Sequence, residues 1–300
     1  MLKIAYHPIY KHPLPANHRF PMEKYDLLPQ QLMHEGTCKP ANFFEPKTPN
    51  NKHFFTVHTP KYFFDLLNIT LSQKAARKIG FPLSEILIER EMMIAEGTMK
   101  ASEFALKYGI AMNIAGGTHH AFSNRGEAFC MLNDQAIGAK YLQNKGLATK
   151  ILIVDLDVHQ GNGTAEIFQK DDTVFTFSMH GKSNYPFVKE KSDLDIALEN
   201  NTKDQQYLSI LKETLPKIIY QEKPDFIYYL CGVDVLETDK LGKLSMTVNG
   251  CKERDLFVLE TCFKNKIPVM CSMGGGYSPD IKTIVNAHAN TFRLAQDIYF

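Results

Sequence analysis

Asp155, Asp157 and His159 alternate along the segment Asp155-Leu156-Asp157-Val158-His159, which closes an apolar run at 151–154. In a strand, side-chain direction flips at each residue, so the three polar groups share one face while Leu156 and Val158 take the other. Asp157 and His159 are oxygen and nitrogen donors suited to a divalent metal. Asp234, just beyond an apolar run at 225–230, can supply a third. Three protein ligands leave coordination open for water and a carbonyl oxygen, as metal-assisted hydrolysis requires. Alone, such a pattern is ordinary strand-end polarity. The Gln160-Gly161-Asn162-Gly163 sequence that follows makes it more specific.

His119-His120 is rarer, and two glycines precede it. A lone histidine pair is in most proteins a pair of polar loop residues. Glycines at a strand end, however, allow close backbone approach. Two imidazoles near a metal can then act as a general base and an electrostatic partner with a different protonation preference. Tyr277, after Gly274-Gly275-Gly276, offers a phenol that could donate to a developing oxyanion. The three glycines lack the spacing of a phosphate-binding loop.

These groups need a common frame. Short β-rich apolar runs at 3–6, 111–115, 151–155, 173–178, 225–230 and 268–272 alternate with helix-period segments at 84–108, 133–144, 164–168, 203–221, 252–265 and 279–296. Continuously apolar strands between helices predict an α/β fold, a mainly parallel sheet with helices on both faces. Each polar cluster directly follows a predicted strand, and parallel α/β sheets bind ligands at the carboxyl ends of their strands. The His- and Pro-rich stretch 7–22 and the Pro-rich stretch 39–60 read as long loops, which in compact enzymes often frame a site.

The 300 residues show no repeat, low-complexity tract or linker, so one domain over 1–300 is expected. Thirty-four basic side chains against 33 acidic leave a formal charge of +1, which gives no general attraction to nucleic acid or an anionic membrane. Six scattered cysteines without a C-x-x-C pair read as buried reduced thiols. No run has the roughly 20 apolar residues of a membrane helix, and the start lacks a signal-peptide pattern, so a cytoplasmic protein is expected.

Together these segments resemble the histone deacetylase family of the arginase/deacetylase fold. The matching pieces are His12-Pro13 through His18-Arg19-Phe20-Pro21, residues 116–120, Phe129-Cys130 with Asn133-Asp134, residues 155–163, residues 232–234 with Asp239, and residues 274–277. The N-terminal run, Gln160 with Asn162, and residues 192–198 are more similar to the class IV type and its bacterial relatives than to class I. The resemblance implies a zinc-dependent deacylase that cleaves the amide of an acyl-lysine, in a protein or peptide, to free amine and carboxylate. Asp157, His159 and Asp234 would hold Zn²⁺, with Fe²⁺ an alternative. His120 would be general base and acid, His119 its neighbour hydrogen-bonded to Asp155, and Tyr277 the group that polarises the carbonyl. Phe129 and Tyr185 would wall the acyl-lysine tunnel, Gly275 would join them in binding substrate, and Arg19 would lie at its foot near an exit for the released acid. Ser178, with carbonyls of Asp155, Asp157, His159 and Met179, would hold a structural K⁺ or Na⁺.

Two residues depart from the family pattern. Asn162 stands where class I enzymes carry an aspartate, and a neutral partner should leave His120 unprotonated at pH 7. Ala128 replaces a glycine beside the tunnel; its methyl either narrows the wall or shifts the loop, which leaves acyl-chain preference open. His7, His12, His18, His34, His53 and His58 read as loop or surface residues, His180 as remote from substrate, His288 as structural, and Asp193 with Asp195 as a solvated rim. A small-molecule amidohydrolase acting on acetylated polyamines keeps the same machinery and is the nearest rival. A non-catalytic acyl-lysine binder ranks lower, because the catalytic set is intact.

Overall fold

A computed structural model describes residues 1–300. Its strands are β1 (Lys3–Ala5), β2 (Phe43–Phe44), β3 (Ile110–Asn113), β4 (Ile151–Asp155), β5 (Val174–Gly181), β6 (Leu194–Leu198), β7 (Phe226–Leu230) and β8 (Val269–Ser272). They form one sheet in the order β2-β1-β3-β8-β7-β4-β5-β6, and every pairing is parallel. The helices are α1 (Lys24–His34), α2 (Pro60–Leu67), α3 (Gln73–Ile79), α4 (Glu85–Tyr108), α5 (Asp134–Asn144), α6 (Asn162–Phe168), α7 (Asp204–Glu222), α8 (Val248–Asn265) and α9 (Ile281–Tyr299).

Adjacent tyrosines on β7 show how helices cover both faces. The Tyr228 hydroxyl meets Ser102 of α4 at 2.8 Å, while the Tyr229 hydroxyl donates to Asp255 of α8 at 2.5 Å. Consecutive strand residues point oppositely, so α4 and α8 lie on opposite sides of the sheet. Helix α5 packs with α4, and α7, α8, α9 and α1 form a chain of neighbours on the other side. The central strands are buried along their whole length, and 79 buried residues join in one core. All six cysteines are free and buried, and all but Cys130 belong to this core. No helix is long and apolar enough to cross a membrane.

Local signals set the boundaries of the long helices. Ser84 caps α4 by accepting from the Leu87 N–H, and Gly109 ends it at φ 87°. Asn133 and Asp280 cap α5 and α9 in the same manner.

The sequence reading missed α1, α2, α3, β2 and β6. Pro29 lies inside α1 and masks its helical period, but packing against α9 holds the segment helical. Strand β6 is a five-residue edge strand, Leu-Asp-Ile-Ala-Leu, whose apolar run is short and broken by Asp195. Asp193 is exposed and Asp195 half-buried, so the pair does lie at the rim of the sheet, and both carboxylates are also engaged there. Asp193 accepts from the backbone and hydroxyl of Thr176, and Asp195 accepts from Gln160 and Ser192, tying the edge to its neighbours.

Candidate active site

Because every strand runs the same way, β3, β4, β7 and β8 deliver their following residues to one edge of the sheet. After β3 the chain turns through Gly116 and Gly117 at φ 86° and 77°, a region that favours glycine. Asp134, the first residue of α5, organises this turn: its Oδ1 accepts the N–H groups of Gly117 and Thr118, both at 2.9 Å. His119 and His120 are thereby held rigidly, and both are buried. His58 also braces this loop, bonding the Phe122 carbonyl through Nδ1 and accepting the Asn133 N–H at Nε2, each at 3.0 Å. It is a core histidine, contrary to its reading as a loop or surface residue, as is His12, which is also buried.

Asp157, His159 and Asp234 converge, each offering one donor atom within 4.8 Å of the other two. His159 Nδ1 lies 3.0 Å from Asp157 Oδ1 and 3.2 Å from Asp234 Oδ2. The remaining carboxylate oxygens are held by backbone: Asp157 Oδ2 accepts from Gly275 N–H, and Asp234 Oδ1 from Val158 N–H, both at 2.9 Å. Asp234 Oδ2 is buried and receives no well-directed hydrogen bond. Burial and the Asp157 charge push the Asp234 carboxyl up to about 7. His159, despite burial, is raised to about 10 by the two carboxylates. Two buried carboxylates and an imidazole nitrogen facing one point demand positive charge there, and this donor set fits a divalent cation. A side chain at Gly275 would run into both carboxylates, so this position needs glycine for space.

The two histidines differ in electrostatics. His119 Nδ1 meets Asp155 Oδ2 at 2.7 Å. Burial disfavours its cation, but the Asp155 charge and hydrogen bond overcome this and raise its pKa. His120 Nδ1 meets Asn162 Oδ1, also at 2.7 Å. Burial, then the neighbouring His119 and His159 cations, hold His120 well below the usual histidine range. With Nδ1–H donating to Asn162, the Nε2 lone pair is free for the pocket. Tyr277 faces the same space, its ring centroid 6.5 Å from that of His159. Burial and the charges of Asp234 and Asp157 raise its phenol well above the usual range, so it keeps its proton and can donate.

A mouth cavity of about 590 Å³ is lined by Phe129, Tyr185, His120, His159 and Tyr277, among others. The Tyr185 hydroxyl donates to Glu127 at 2.5 Å and bridges two distant segments across it. Ala128 and Phe129 both adopt positive φ, 43° and 68°, held by hydrogen bonds from their N–H groups to the carbonyls of Lys78 and Ile79. Behind the mouth lies a chamber of about 40 Å³, room for roughly three waters.

The structure corrects the placement of Arg19. It is exposed at the mouth, its guanidinium 4.9 Å from the centre of the Phe129 ring, because the loop carrying it crosses outside the aromatic cluster of Phe20, Phe81 and Phe129. The cations near the inner end are Lys24 and Arg90, both buried. Lys24 Nζ donates to the Gly274 carbonyl at 3.0 Å, and Arg90 lines the chamber while donating to the Tyr10 carbonyl at 2.7 Å. Gly275 likewise lies beside this chamber, its N–H committed to Asp157. Ser178 and Met179 lie on β5 next to β4, with the Ser178 hydroxyl 3.0 Å from His180 Nδ1; His180 is buried and lines neither cavity.

The sequence reading assigned no role to Arg254. Fully buried on α8, it pairs with Asp255 and donates to the carbonyls of Leu156 and Gly232, at 3.1 and 2.7 Å. It clamps the two loops that carry Asp157 and Asp234. An Arg-Asp pair on an otherwise apolar helix face was the available signal.

Comparison with known proteins adds the family. The chain is 46% identical over 296 residues to an uncharacterized protein of Picosynechococcus, covering 99% of both chains. It is 27% identical to histone deacetylase 2 of Arabidopsis thaliana, over 87% of this chain and 70% of that protein. It is 28% identical to the acetoin utilization protein AcuC of Staphylococcus xylosus, over 87% and 74%. The crystal structure of the HDA15 HD domain superposes with a TM-score of 0.80 at 18% identity, over 96% of this chain and 89% of that one, which shows the same fold. The histone deacetylase domain model matches residues 18–292, nearly the whole chain, and the chain belongs to that family.

Proposed function

We propose that this protein is a zinc-dependent deacylase that hydrolyses the amide of an acyl-lysine to free amine and carboxylate. The observation that carries the reading is that His120, with its unprotonated Nε2, and the Tyr277 phenol line the same cavity as His159 and Asp157. When bound by Asp157, His159 and Asp234, a divalent cation such as Zn²⁺ or Fe²⁺ would polarise the amide carbonyl and acidify water. Phe129 and Tyr185 guide the acyl-lysine stem inward. His120 Nε2 takes the proton from the attacking water. Tyr277 donates to the oxyanion that develops on the carbonyl. His120 then returns the proton to the departing nitrogen, since an amine anion is a poor leaving group. His119, whose pKa the Asp155 carboxylate raises against burial, would when protonated stabilise the negative charge of this transition state. Ser178 and the carbonyls of Asp155, Asp157, His159 and Met179 would hold a K⁺ or Na⁺ that stiffens the strand ends.

The test is a screen of acetyl- through myristoyl-lysine peptides with metal content measured on the same sample. Turnover should track bound zinc, and Tyr277→Phe should lose about 10²–10³ in kcat. Full turnover by Tyr277→Phe, or by metal-free protein, would overturn the reading.

A further inference from the structure

Three cations line the mouth against a single carboxylate. Arg19, Lys78 and Lys243 line the mouth cavity, and Glu127 is its only acidic lining residue. Glu127 is already engaged, accepting from Tyr185 at 2.5 Å and Arg125 at 2.9 Å, with Lys78 3.4 Å away. Lys243 donates to the Ser183 carbonyl and Arg19 lies over Phe129; neither has a carboxylate partner. The chain as a whole is almost neutral, so this excess is local to the entrance.

We propose that the rim selects acyl-lysines flanked by acidic side chains. The inference rests on the deacylase reading above and names its substrate class. An acyl-lysine stem is neutral and fills the apolar tunnel, so discrimination falls to residues on either side, which pass within a Debye length, about 8–10 Å, of these cations. Each exposed pairing is worth about two- to threefold. Exchanging two basic flanks for two acidic ones therefore changes kcat/KM about tenfold or more. The same field disfavours basic tails and acylated polyamines, whose remaining ammonium groups would approach Arg19 and Lys243.

The experiment compares acetyl-lysine peptides of equal length with acidic, neutral or basic flanks, and an acetylated polyamine, at low and high salt. The acidic peptide should exceed the basic one about tenfold in kcat/KM, chiefly through KM, and the gap should shrink at high salt. Lys243→Glu should reduce the ratio about threefold, and Arg19→Gln should also lower it. Equal rates, or faster turnover of the basic peptide or the polyamine, would overturn the inference alone. No turnover of any peptide by folded, metal-loaded protein would overturn the deacylase reading and this inference with it.

Discussion

The Asp239 carboxylate accepts the backbone N–H of Tyr277 at 2.6 Å, while its other oxygen accepts from Leu241 and Gly242. The Tyr277 phenol is thus fixed through its own main chain. Asp239→Ala should lower kcat about 10- to 100-fold with a smaller change in KM, since a displacement near 1 Å suffices for such a loss. Steady-state kinetics beside an unchanged circular dichroism spectrum would check this; unchanged kcat would mean the phenol needs no such tether.

Asn162 keeps a formal charge away from His120. Asn162→Asp adds a carboxylate that favours the imidazolium, raising the His120 pKa. The base must be neutral, so the acid limb of the kcat/KM profile should move to higher pH by one unit or more. A limb that stays in place would remove His120 from the role of base.

Two buried carboxylates that share one imidazole should make the fold respond to metal. Stripping with a chelator should abolish turnover and lower Tm by several degrees, and one equivalent of Zn²⁺ should restore both. His159→Ala should show neither loss nor recovery of stability on this cycle. Calorimetry of the two proteins distinguishes the outcomes.

Burial pushes His58 down to about 4, so the folded state binds fewer protons than the unfolded state between about pH 6.5 and 4. Stability therefore rises with pH across that window and falls on acidification, by about 3 kcal/mol at pH 4 from this residue. Denaturant unfolding of the wild type and His58→Gln across the window should show a shallower slope in the variant.

Arg254 leaves Asp255 buried and unpaired if removed. Arg254→Ala should cost about 3–5 kcal/mol. A urea midpoint unchanged from wild type would show that the clamp on the Leu156 and Gly232 carbonyls contributes nothing.

Much of this site was legible because its groups follow apolar runs, and a parallel sheet turns that placement into convergence. His119, His120, Asp157, His159, Asp234 and Tyr277 all come from such strand ends. Arg19 was misplaced because sequence order says that a loop passes near a site, not whether it runs inside or outside an aromatic cluster. Lys24, Arg90 and Arg254 were overlooked for a related reason. A charged residue on a helix reads as solvated until tertiary packing supplies the carbonyls and carboxylates that bury it. Strand β6 escaped because its five residues, broken by Asp195, follow a charged stretch at 189–193 and read as part of it.

The Asp157 and Asp234 carboxylates take their fixed hydrogen bonds from the main chain at positions 275 and 158. Peptide N–H groups persist through every exchange of side chain except proline. The floor of the pocket is therefore shielded from sequence drift, and the rim can diversify around it. Saturation mutagenesis should find Val158 tolerant of apolar exchange, while Gly275, where any added atom strikes both carboxylates, admits nothing.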